Sequence, residues 1–275
     1  MNRQQRASRS AVTAARSGES VKGGRVMRTR IGGEIRTKFV AVAIAVAAVV
    51  AFTLPAQAQA QVWNPKVAGK TYGEWETAWW QWAFAGPNGE NVIEGTAECG
   101  VNQPPGPVWF LAGTFGVVAE RYCTVPKDRA VFYPLVNSFW VDCPNSPDED
   151  LTDDEVRAFM ATYGGGGDKA CQLTSTLDGV AISTKQSPTV RSQSPTFTAT
   201  LPEGHVLEGL CYFPPDYPTD LPPGKTGRMI SEGYWIMLPP LSSGEHTLTL
   251  HGANCDPATG AVEFEVDVTY HLTVN

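Results

Sequence analysis

Thirteen residues at the C-terminal end constrain the fold more than any other stretch. Val262, Phe264, Val266, Val268, Tyr270, Leu272 and Val274 alternate with Glu263, Glu265, Asp267, Thr269, His271 and Thr273. Successive side chains of an extended chain point to opposite faces. A period of two therefore builds a long strand with one buried face and one wet face. Just upstream, Leu248 and Leu250 alternate with Thr247 and Thr249, so this segment pairs antiparallel with the long strand across a loop at residues 252–260. A hairpin with one dry face needs a second layer to cover it.

Candidate strands for that layer lie earlier in the chain. Residues 108–112, 129–133 and 139–141 are short apolar runs separated by Pro- and Gly-rich turns. Residues 234–238 (Tyr-Trp-Ile-Met-Leu) do not alternate, which marks a central strand covered on both sides. Two helices stand apart from these. Thr71 and Glu74 have the capping-box spacing, and Tyr72, Trp75, Trp79 and Trp82 then share one helical face, with Trp80 to its side. Thr152 and Glu155 repeat the box, with Leu151 and Val156 as a hydrophobic staple, and the helix runs into four glycines at 164–167. The pattern predicts a mainly β chain: an antiparallel β-sandwich, jelly-roll or immunoglobulin-like, with two short helices packed at an edge or end.

The first 60 residues belong to a different object. Arg28, Arg30, Arg36 and Lys38 precede an apolar run at 39–54, Pro55 ends it, and Ala56, Ala58 and Ala60 offer small-residue cleavage sites. These are the three parts of a secretory signal peptide, and the run is too short for a spanning helix. Its basic region is long, and Met27 is a more usual start. The mature domain is then a single unit at 61–275, exported to the periplasm or the medium, with no stable membrane insertion after cleavage. Ten of the 21 Lys and Arg but only two of the 28 Asp and Glu precede residue 61. That leaves 11 basic against 26 acidic residues, a net charge of −15. Such a surface repels phosphate backbones, so no nucleic-acid partner is expected and anionic membranes are poor partners. Cys99, Cys123, Cys143, Cys171, Cys211 and Cys255 form an even set without Cys-x-x-Cys spacing, which points to disulfides rather than zinc or redox chemistry. Pairing in chain order predicts Cys99–Cys123, Cys143–Cys171 and Cys211–Cys255.

Several segments occur together in one order: Tyr72-Gly73-Glu74-Trp75, Trp79-Trp80-Gln81-Trp82, residues 107–116 (PVWFLAGTFG), Cys123-Thr124-Val125-Pro126 and residues 240–247 (PLSSGEHT). This set resembles a widespread group of uncharacterised secreted bacterial proteins. The resemblance implies an exported globular protein. It brings no activity and no site residues with it.

The residues themselves suggest a binding surface before a catalytic one. Trp80, off the main stripe, is the indole best placed to stay exposed and stack on a sugar ring. Tyr217 sits in a Pro-rich loop at 213–224 and Tyr212 immediately before it, where rigid backbone lowers the cost of presenting aromatics. A glycosidase needs only two carboxylates, and Glu74 and Asp142, each near tryptophans, are the candidates, although Glu74 also has a capping role. No Gly-x-Ser-x-Gly elbow and no phosphate-binding Gly-x-x-x-x-Gly-Lys loop is present. The acidic run at 148–155 offers oxygen ligands for Ca²⁺ but lacks the glycine and distal glutamate of an EF-hand loop, and acids at a helix start serve its dipole without a metal. His205, His246, His251 and His271 do not converge on a three-histidine site, because 246 and 251 face opposite ways and 271 pairs far from 251. No metal or other cofactor is assigned. The expected function is a non-catalytic exported domain that binds a glycan or envelope ligand. The alternatives are a secreted two-carboxylate hydrolase and a structural envelope protein.

Overall fold

The computed structural model describes residues 66–275 except 95–97, 164–166, 183–188 and 213–218, and omits the side chains of 148, 149 and 163. The leader and its cleavage sites lie outside these residues. Two sheets face each other. One has the order β1 (Val108–Phe110), β3 (Ala130–Val141), β9 (Met229–Leu238), β6 (Val190–Gln193). The other has the order β2 (Val118–Val125), β11 (Val262–Val274), β10 (Gly244–Cys255), β4 (Ala170–Leu177), β5 (Val180–Ala181). A small ribbon of β7 (Thr200–Leu201) and β8 (Gly224–Lys225) stands apart.

The C-terminal hairpin forms as its alternation requires. β10 and β11 pair antiparallel, with Leu248 opposite Tyr270 and His251 opposite Asp267. β10 continues to Cys255, further into the expected loop than the apolar pattern alone reached, with a register shift at Asn254 and Cys255. Leu248, Leu250, Val266, Val268, Tyr270 and Leu272 point inward against Val131, Tyr133, Leu135, Ile236 and Leu238 of the other sheet. This is the sandwich core. The pairings are not all antiparallel: β1 runs parallel to β3, and β2 parallel to β11. Between β1 and β3 the chain visits the opposite sheet as β2, and two reversals bring β3 back in the direction of β1.

The second face of the four-stranded sheet is dry as well, which is why residues 234–238 show no alternation. It carries α1 (Tyr72–Ala83), whose Tyr72, Trp75, Trp79 and Trp82 join Phe110, Phe132, Trp235 and Met237 in one apolar cluster. The capping box is present: Thr71 N–H donates to Glu74 Oε2 (2.7 Å), and Glu74 N–H to Thr71 Oγ1 (3.2 Å). Trp75, Trp79 and Trp82 each donate their indole N–H to a backbone carbonyl, of Val67, Leu111 and Val101 respectively. Gly73 is needed for this contact, because a Cβ there would collide with the Gln193 carbonyl of β6. The other helix, α2 (Asp153–Tyr163), starts in the second capping box, and its Val156 and Met160 pack on Ile230 with Trp140 and Phe159 beside them. Neither helix is long and apolar enough to cross a membrane.

All six cysteines are paired: Cys99–Cys123, Cys143–Cys211 and Cys171–Cys255. The first pair is the expected one. The other two correct the chain-order pairing, which assumed that neighbours in sequence are neighbours in space. β4 lies against β10, and the register places Cys171 opposite Ala253, within reach of Cys255. That leaves Cys143, just beyond β3, for Cys211. Three bridges in one domain suit an oxidising, exported setting.

Candidate functional site

The residues singled out for binding or catalysis separate widely in behaviour. Trp80 is not an exposed platform. It is 3% exposed, stacked on Phe84 at 4.9 Å and tilted against Phe139 at 4.8 Å. Phe139 lies on β3, so Trp80 faces the sheet as well, and the wet side of α1 is left to Glu74 and Gln81 with Thr77 and Ala78 half-buried beside them. Tyr212 is exposed beside the bridged Cys211, and Tyr217 falls among residues 213–218, outside the described set. Glu74 is spent on the cap, and that hydrogen bond from Thr71 lowers its pKa, the opposite of what a general acid needs. Asp142 is bound by Arg228 at 2.9 Å and by the Trp140 indole at 2.9 Å. In the acidic run, Asp153 accepts from Thr196 and Arg228, and Glu155 caps Thr152. These carboxylates organise the start of α2.

Two arrangements with catalytic overtones resolve as structural. Glu76 is fully buried between α1 and the four-stranded sheet, held by Ser192 Oγ (2.7 Å) and Ser231 Oγ (2.6 Å). Burial pushes its pKa up to about 8, against the pull of the two serines. No substrate reaches a carboxyl with no exposed surface. The second arrangement is Ser242, His246 and Asp178, the three residue types of a hydrolytic triad. His246 Nδ1 is 2.7 Å from Asp178, and Nε2 is 3.2 Å from Ser242 Oγ. Nε2 is closer still, 2.9 Å, to the Ser242 carbonyl, which can only accept. Asp178 first, and then that carbonyl, raise the His246 pKa by favouring the imidazolium. A ring that donates from both nitrogens cannot take the serine proton, so it clips the 241–244 turn instead. His205 is likewise a satisfied core residue, 1% exposed and engaged by Leu207 N–H and Leu221 O.

The open chemistry lies on the wet face of the five-stranded sheet. The strand registers place side chains there in rows. Thr176, Thr249, Thr269 and Glu120 form one row, Thr247, His271 and Tyr122 a second, and Thr174, His251 and Asp267 a third. Thr176 and Thr249 share a hydroxyl contact at 2.7 Å. Tyr122 is 74% exposed, and its ring lies on His271 at 4.7 Å with 17° between the planes. Glu120 fixes that imidazole from the other side, 2.6 Å from Nε2. The result is a surface of hydroxyl, carboxylate and imidazole groups around an outward-facing phenol that stacks on His271. Tyr122 lies in no apolar run, because β2 carries Glu120 and Thr124 beside it on its outer side. Parity would have found it: Cys123 must point inward to its bridge, so Tyr122 points out.

No family model matches this chain, and no curated protein or solved structure matches it.

Proposed function

We propose that the chain is an exported, non-catalytic carbohydrate-binding domain, and that the wet face of the five-stranded sheet is its binding surface. The observation that carries this reading is Tyr122: a large aromatic ring left in water on a paired strand and stacked on His271, whose imidazole Glu120 anchors. Leaving an aromatic exposed forfeits burial energy. Holding it rigid lowers the entropy lost when a ligand lands on it. The C–H face of a sugar ring suits an aromatic face, and the surrounding threonine rows supply directional partners for its hydroxyls. The net charge of −15 beyond residue 60, with Glu120, Glu245, Glu265 and Asp267 on or beside this face, selects neutral or amino sugars over uronic, sulfated or phosphorylated polymers. Periplasm or medium is the proposed compartment, where such polymers are met. Tyr212 follows Cys211, which packs in the α1 cluster on the other layer, so it is not a contact of this surface.

Affinity electrophoresis through gels containing neutral or amino-sugar polysaccharides tests the proposal. The wild type should be retarded on at least one polymer, and Tyr122→Ala should lose at least tenfold in affinity with an unchanged melting temperature. Retardation that survives Tyr122→Ala removes this face as the binding surface. Free migration on every polymer removes the carbohydrate reading.

A further inference from the structure

The loop end of the same hairpin gathers three side chains of metal-ligating type from two strands. His251 on β10 stands opposite Asp267 on β11, and Glu265 follows two residues away on that face. His251 Nδ1 is 3.8 Å from Glu265 Oε1 and 4.0 Å from Asp267 Oδ2. The three donor atoms all lie within 4.8 Å of one another. Ligands bound to one tetrahedral zinc stand about 3.4 Å apart, given metal–ligand distances of about 2.1 Å. Small rotations of two solvent-exposed carboxylates close that difference.

The other imidazole nitrogen is already committed. Nε2 lies 3.3 Å from Gln172 Oε1, an acceptor for an Nε2–H, and that arrangement leaves Nδ1 as the ring atom turned to the two carboxylates. Metal-ligating histidines are characteristically anchored in this way through their second nitrogen. The backbone goes out of its way to provide the anchor. The β4–β10 register slips between His251 and Ala253, and Gln172 holds a left-handed φ of +53° at that irregularity. A side chain with a Cβ holds this region only against a steric cost. The Cys171–Cys255 bridge ties the two strands together at one end of it.

We propose that His251, Glu265 and Asp267 form a binding site for a divalent first-row transition ion of the zinc type. Imidazole in the ligand set favours such ions over Ca²⁺ and Mg²⁺, which take oxygen ligands. Three protein ligands on an open sheet face leave the remaining coordination positions to solvent or to an incoming hydroxyl. The site does not depend on the carbohydrate reading, because it is defined by its own ligands.

Isothermal titration of the EDTA-treated protein with Zn²⁺, in a non-chelating buffer near pH 7.5 and without any sugar, reads the site directly. One equivalent should bind with micromolar affinity, and His251→Ala and Glu265→Gln should each weaken it at least tenfold. His246→Ala should leave it intact, and Ca²⁺ should give no comparable heat. Co²⁺ in place of zinc should give visible d–d bands that disappear in His251→Ala. Absence of binding, or binding of several ions that persists in both His251→Ala and Glu265→Gln, overturns the proposal.

Discussion

Glu76 offers the sharpest test of how this fold is held together. Its carboxyl, between Ser192 and Ser231 and with no exposed surface, is neutral in the folded state up to about pH 8, whereas in the unfolded chain it ionises near 4.5. Below pH 4.5 both states hold the proton, and Glu76 adds nothing to the pH dependence. Between the two values only the folded state holds it, so stability falls as pH rises. Above 8 both states are ionised and the loss is complete. A rise from 4.5 to about 8, at about 1.4 kcal/mol per pKa unit, amounts to about 5 kcal/mol. Glu76→Gln keeps the shape, and its amide offers one donor and one acceptor to the two serines. Urea unfolding followed by tryptophan fluorescence from pH 4.5 to 9 should show the wild type losing several kcal/mol. Glu76→Gln should be much flatter and the more stable of the two at pH 8. A wild-type curve flat across that range, or a Gln variant that is less stable at pH 8, refutes the reasoning.

Two further outcomes follow from the core. Arg121 is buried and donates to the carbonyls of Ala112, Ile93 and Gly113 and to the Tyr270 hydroxyl; Ala112 and Tyr270 keep each other as partners, so Arg121→Met should cost about 3 kcal/mol in urea unfolding by taking the donor from the Ile93 and Gly113 carbonyls. The Cys171–Cys255 bridge closes a separation of 84 residues and Cys99–Cys123 one of 24, so replacing the first pair by alanine should cost about 4–5 kcal/mol and the second about 3, as measured by denaturant midpoints under oxidising conditions.

What was legible in the sequence is what local physics decides. The alternation at 262–274 reports a strand with one wet face, and no tertiary detail changes that reading. The two capping boxes are closed by residues three apart, and both formed. Trp80 could not be read in this way. The helix buries a wider arc than the Tyr72–Trp75–Trp79–Trp82 stripe: Phe84 and Phe139 of β3 cover Trp80 at its edge, and the wet side is Glu74, Thr77, Ala78 and Gln81. The disulfides are set by which strands are neighbours, and β4 against β10 brings together residues 84 apart. The wet-face surface was half visible. Its β11 members were explicit in the alternation, but Tyr122, Thr176 and Gln172 join them only through the strand order β2-β11-β10-β4.

The central claim, that this face binds carbohydrate, is tested most directly by amide chemical-shift mapping with a soluble neutral or amino-sugar oligosaccharide. The perturbed amides should cluster on Glu120, Tyr122, Thr249, Thr269 and His271, and the cluster should vanish in Tyr122→Ala. Shifts that concentrate on another surface, or that persist without the Tyr122 ring, would contradict it.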